Sequence, residues 1–136
     1  MSNLINNLMS SGYSKQLKVS FEDAVEQTIA ALKAQGFGIL TDIDVQKTLK
    51  EKLGVEFTRY RILGACNPPR AYQALQIEEE IGLLLPCNVI VYERGDGSVV
   101  VSAQCPTVAF TVVGNPALEP LAQEVEEVLK EVIDAL

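Results

Sequence analysis

Residues 82–105 read GLLLPCNVIVYERGDGSVVVSAQC, and how this segment folds back on itself decides the architecture. Two apolar, β-branched runs flank Arg94-Gly95-Asp96-Gly97, so a hairpin is predicted, with the chain's fourth strand over 82–93 and its fifth over 98–105. Leu83, Leu85, Cys87, Val89 and Val91 form the more apolar side of the one; Val99, Val101, Ala103 and Cys105 form that of the other. Directly opposed residues share a face, and a three-residue loop of Gly95, Asp96 and Gly97 then sets Cys87 opposite Cys105. A bulge near Pro86 or Asn88 would turn Cys87 to the other face.

Working back from the hairpin, residues 57–66 predict a third strand. Tyr60, Ile62 and Cys66 share the side expected to face helices, with Arg59 and Arg61 opposite. Asn67-Pro68-Pro69 ends that strand, because neither proline can donate to a ladder, and launches a helical stretch over 70–77. Earlier, residues 13–19 alternate as a strand, and Ser20 offers an N-cap with Asp23 three residues on. Phe21, Ala24, Val25, Thr28, Ile29 and Leu32 then repeat at helical spacing until Gly36. Residues 37–43 read as the second strand, with Phe37, Ile39, Thr41 and Ile43 on one side and Leu40 and Asp42 on the other. Asp44 caps a short helix that Gly54 closes.

Downstream of the hairpin, residues 106–114 are apolar but fit neither period. Asn115-Pro116 opens a last helix whose apolar stripe includes Leu118, Leu121, Val125, Leu129, Val132 and Leu136. The expected product is one α+β domain over residues 12–136, preceded by a flexible tail over 1–11. Its mostly antiparallel sheet carries two long helices on one face, with two short helices inserted between strands. Leu40, Leu63, Ile90 and Tyr92 are expected on the uncovered face.

With 136 residues the chain is long enough to bury a real core, and 48% hydrophobic against 21% charged residues is the composition of an ordered globular protein. The longest apolar run, residues 81–87, is far short of the ~18 residues a membrane span needs. No basic region followed by an apolar stretch marks a secretory signal, so a cytoplasmic location is expected. A net charge of -7 repels phosphate backbones and anionic membranes, so neither nucleic acid nor membrane is an expected partner. The absence of histidine removes histidine-based general base catalysis, the Ser/His/Asp and Cys/His triads, and imidazole metal sites.

The three cysteines are odd in number and form no close pair, which argues against a secreted disulfide framework. Two readings of Cys66, Cys87 and Cys105 stand side by side. As small hydrophobes they fill the core. As a thiol site they gather at one helix-covered interior, where they would bind a soft metal or where Cys66 or Cys87 would carry sulfur or redox chemistry, with Asn67 and Asn88 supplying hydrogen bonds. Arg70 is the one cation near them; Arg59, Arg61 and Arg70 would serve an anionic ligand unless the first two pair with carboxylates across the strand. A hydrolase or lyase built on Asp42, Asp44 or Glu56 competes with the simpler reading of those residues as caps and solvated surface. The favoured reading is a non-catalytic, homodimeric binding or interaction domain with no cofactor, since an antiparallel sheet covered on one side leaves its other face for a partner.

The phrases LGACN at residues 63–67, IGLLLPCNVIV at 81–91, GFGILTDIDVQKTLKEKLGVEF at 36–57, YRILGACNPP at 60–69 and VGNPAL at 113–118 together resemble the domain of unknown function 302 family. The likeness runs from about residue 13 to the last residue. It implies a β-α-β(4)-α fold similar to the TATA-binding-protein-like class and small bacterial or archaeal proteins that self-associate; it implies no reaction. Its matching functional candidates are the Cys66-Asn67 and Cys87-Asn88 pairs. Where the family's pattern places an acidic residue before the proline that ends the fifth strand, this chain has Cys105.

Overall fold

Five antiparallel strands and two long helices organise the chain in a computed structural model that describes residues 12–136; the tail expected over residues 1–11 lies outside the described residues. The strands are β1 (Gly12–Leu17), β2 (Gly38–Asp44), β3 (Tyr60–Cys66), β4 (Cys87–Glu93) and β5 (Val99–Gln104), in sheet order β1-β5-β4-β3-β2. Helices α1 (Phe21–Ala34) and α5 (Glu119–Asp134) cover one face. The short helices α2 (Val45–Leu53) and α3 (Pro68–Ile77) are inserted on either side of β3, and the single turn α4 (Pro106–Ala109) follows β5.

The hairpin forms in the expected register. Gly97 N–H donates to the Arg94 carbonyl (2.9 Å) and Arg94 N–H to the Ser98 carbonyl (2.8 Å), leaving a three-residue loop in which Gly97 has φ +85°. The Asp96 carboxylate accepts from both the N–H and the hydroxyl of Ser98, which holds its pKa below the usual range. Val91 then lies across from Val101 and Val89 across from Ala103, all buried beneath α1 and α5. The helices start where capping chemistry allows. Ser20 Oγ accepts from Asp23 N–H (3.1 Å), Asp44 from Lys47 N–H (2.9 Å), and Asn67 from Arg70 N–H (3.4 Å), with Pro68 and Pro69 opening α3. The stripe of α5 is buried at Leu121, Ala122, Val125, Leu129, Val132 and Ile133.

Four expectations are corrected. The fourth strand begins at Cys87, because Glu79–Leu84 is a 3-10 helix capped by the Glu78 side chain, which accepts from the Glu80 N–H (3.0 Å); Leu83, expected on the apolar side, is 82% exposed. A short apolar run is the case in which periodicity cannot tell strand from helix. The third strand begins at Tyr60 rather than at 57. In β2 the register slips between Ile39 and Thr41, so Leu40 is an extra residue: Ile39 sits with Ala65 on the helix side, whereas Thr41 and Ile43 join Gly64 and Ile62 on the uncovered side.

The last correction concerns β3. Leu63 lies across from Val89 and Ala65 across from Cys87, so the helix side holds Arg61, Leu63 and Ala65, and the uncovered side holds Tyr60, Ile62 and Cys66. Arg61 is tolerated on the helix side because it meets the Asp42 carboxylate, with Nε 2.7 Å from Oδ1 and Nη2 on Oδ2. The bulge at Leu40 is what brings Asp42 to that side, across from Leu63. Ile90 and Tyr92 are on the uncovered face as expected; Leu63 is fully buried instead.

Candidate functional site

At the end of the sheet where β3 runs into α3 and β4 begins, a cavity of about 290 Å3 opens between the strand ends, α3 and α5. Its floor is apolar, formed by Phe37 just before β2, Ala65 from β3, Ala74 from α3, Phe110 from the turn after α4, and Leu121 and Val125 from α5. Leu40 (66% exposed) and Leu75 (43% exposed) stand at its mouth. Four of the sequence candidates, Cys66, Asn67, Arg70 and Cys87, border this one cavity. Proline at both of the first two positions of α3 explains the arrangement: the strand must stop at Cys66, and the turn swings Arg70 back over the strand end.

Asn67 is committed to its capping bond, and Arg70 Nη1 forms an ion pair with Glu124 of α5, linking the two helices across the cavity mouth. Asn88 lies elsewhere: it is exposed on the uncovered face, across from Gly64, and its N–H donates to the Gln104 side chain (3.2 Å). Cys105 also lies apart, at the N-cap of α4, near Glu126 and Lys130. Cys66 and Cys87 therefore border one cavity from opposite faces of the sheet end, and Cys105 is not among its lining residues. Cys87 is on the helix side, Cys66 on the opposite side at the last residue of β3, and no group of three His, Cys, Asp or Glu residues among the described residues is placed to hold a metal ion.

Burial raises the pKa of all three thiols. Cys87 is pushed up to about 11, chiefly by desolvation and in smaller part by Cys66, which itself rises through desolvation. Cys105 rises through burial and Glu126, with Lys130 pulling the other way. All three therefore favour the protonated form, which is neither nucleophile nor strong metal ligand. Because the folded pKa of Cys87 lies above the usual thiol value, the folded state holds this proton more tightly than the unfolded chain. The stabilisation is full below about pH 9 and lost as pH climbs through about 11. Two outcomes are expected: modification of Cys87 by an aromatic disulfide at pH 8 about 100-fold slower than in the urea-unfolded chain, and a urea midpoint that falls from pH 9 to 11 less steeply in Cys87→Ala. Mass-resolved labelling and denaturation series check them.

The other charged candidates have structural partners. Arg59 pairs with Glu22, Arg61 with Asp42, and Lys50 with Glu56, while Asp44 caps α2. Arg61 holds the Asp42 carboxyl below its ordinary value, by hydrogen bonding more than by charge alone. The cavity itself was not visible in the sequence, since its walls come from five separate segments; the one local signal was the apolar, aperiodic stretch that contributes Phe110.

Residues 13–136 match the family described as "Domain of unknown function DUF302". Among solved structures, the chain is similar to the crystal structure of an uncharacterized conserved DUF302 protein from Bacillus stearothermophilus, at 30% sequence identity and a TM-score of 0.85, over 91% of this chain and 96% of that one. No curated protein matches the chain.

Proposed function

This chain belongs to the DUF302 family, whose description assigns no reaction, and we propose that it is a non-catalytic homodimeric interaction module of the cytoplasm, two copies meeting through the uncovered sheet face. The observation that carries this reading is the charge pattern. Among the described strand residues, the register places no Asp, Glu, Lys or Arg on that face, although the chain's net charge is -7. At its centre Ile62 lies across from Ile90 and Ile43 across from Ile62, and the rings of Tyr60 and Tyr92 stack with centroids 5.4 Å apart. Ser14, Ser102 and Asn88 flank them.

An uncharged patch on a strongly acidic molecule is where a second acidic copy can approach without like-charge repulsion. A two-fold axis through the patch would pair apolar centre with apolar centre and polar flank with polar flank. A basic macromolecule would find no complementary charge there, and the same net charge disfavours nucleic acid. The thiol reading of Cys66 and Cys87 has less behind it, because burial keeps both protonated and no group of three metal-ligating side chains among the described residues includes them. No described helix is long and apolar enough to cross a membrane, and the three cysteines are free, which suits a reducing compartment.

Sedimentation equilibrium tests the proposal. The native protein is expected at twice the chain mass at micromolar concentration and Ile90→Lys at the monomer mass with unchanged far-ultraviolet dichroism, while Leu83→Lys, a change on another surface, stays dimeric. A native monomer at about 100 μM, where standard interfaces are well formed, or a dimer indifferent to Ile90→Lys, overturns it.

A further inference from the structure

From the cavity beneath α3 we infer a binding site for a small monocarboxylate with an apolar body, the body seated among Phe37, Ala74, Phe110 and Val125 and the carboxylate on Arg70. Size sets the class. A volume of about 290 Å3 is roughly twice the ~150 Å3 that accommodates benzene, which suits a medium-length alkyl chain or a fused aromatic ring. Two features at the mouth point to a ligand. Leu40 and Leu75 expose apolar surface there, at 66% and 43%, around an opening that leads to a more apolar interior.

The second feature is a cation fixed at an otherwise apolar opening. Arg70 leaves the first turn of α3 and is held there by Glu124, through one guanidinium nitrogen of a five-donor fork. The fork can keep that pair and still present N–H groups to a second carboxylate. The backbone offers no substitute: Pro68 and Pro69 carry no N–H, and the Arg70 N–H is taken by the Asn67 side chain. The guanidinium is thus the group at this helix start that an anion would contact. Within the floor, the protonated Cys87 thiol acts as apolar wall.

This site is on the helix side of the sheet end and stands independently of dimer formation, so the test is run on both the native protein and Ile90→Lys. Octanoate and octan-1-ol are titrated separately while backbone amide resonances are followed. Octanoate is expected to bind with a dissociation constant on the order of 0.1–1 mM, shifting residues of α3, Pro86-flanking positions and Val125; octan-1-ol binds at least about fivefold more weakly. Arg70→Gln brings octanoate to the level of the alcohol, a loss of about fivefold to tenfold. Ala71→Leu, which fills the cavity from its half-buried rim, abolishes both with little change in melting temperature. Absence of octanoate binding in the native protein, equal affinity for acid and alcohol, indifference to Arg70→Gln, or shifts confined to the uncovered sheet face each overturn the inference.

Discussion

Gly64→Ala is expected to destabilise the protein by about 1–3 kcal/mol, with loss of the sharp amide spectrum around the bulge in β2. A Cβ on Gly64 would stand 2.1 Å from Thr41 Oγ1 and 2.8 Å from Pro86 Cγ. The hydroxyl can turn away by rotation about χ1. The proline ring cannot, so β2 or the β4 entry must shift. The backbone of Gly64 is ordinary strand, without a positive φ, so the cost is steric; the reduced freedom of the unfolded chain offsets it by only about 0.4–1 kcal/mol. Gly82→Ala is the control, since nothing lies within 4 Å of its added carbon. Urea denaturation of the two variants checks the contrast, and equal midpoints would mean that β2, β3 and Pro86 do not approach as described.

Leu63→Ala carries the larger penalty, about 2–5 kcal/mol, or roughly 7–18 °C in melting temperature for a chain of this length. Leu63 has no exposed surface and lies between Val89 and the helices, so truncation removes its transfer energy and leaves a void that a rigid sheet cannot close. Leu83→Ala, at a position 82% exposed, should stay within about 0.5 kcal/mol of the native protein. Calorimetry on both variants tests more than packing. Had β3 the opposite register, Leu63 would face outward and its truncation would be as mild as that of Leu83.

That register is where sequence and structure part. The hairpin was legible because its loop residues and the odd-numbered apolar side of both strands agree, and the helices because caps at Ser20, Asp44 and Asn67 coincide with the start of helical spacing. For β3, charge misled: Arg61 looks like a solvent marker, yet it lies on the helix side, paired with an Asp42 that only the bulge delivers there. A bulge is a property of two strands, and the extra residue Leu40 looks like any alternating position within its own. The clustered-thiol expectation inherited the same error through Cys66. Family likeness, by contrast, was legible from the LGACN and PCNVIV phrases and covers residues 13–136. Of the five ligand-binding candidates, Cys66, Asn67, Arg70 and Cys87 border one cavity, as its rim and wall rather than as a ring of sulfur ligands, while Asn88 lies on the uncovered face.

The position of β1 has a consequence for how the molecule is made. Its partner is β5, so Ser14 meets Ser102 across 88 residues, and Tyr13 reaches Asp134 across 121. At ribosomal speeds the first strand therefore waits about 4–18 s for its neighbour to be synthesised. Throughout that interval its hydrogen-bonding edge is open. Lys15 and Lys18, in and just after this segment, give it the positive charge with which edge strands discourage premature pairing.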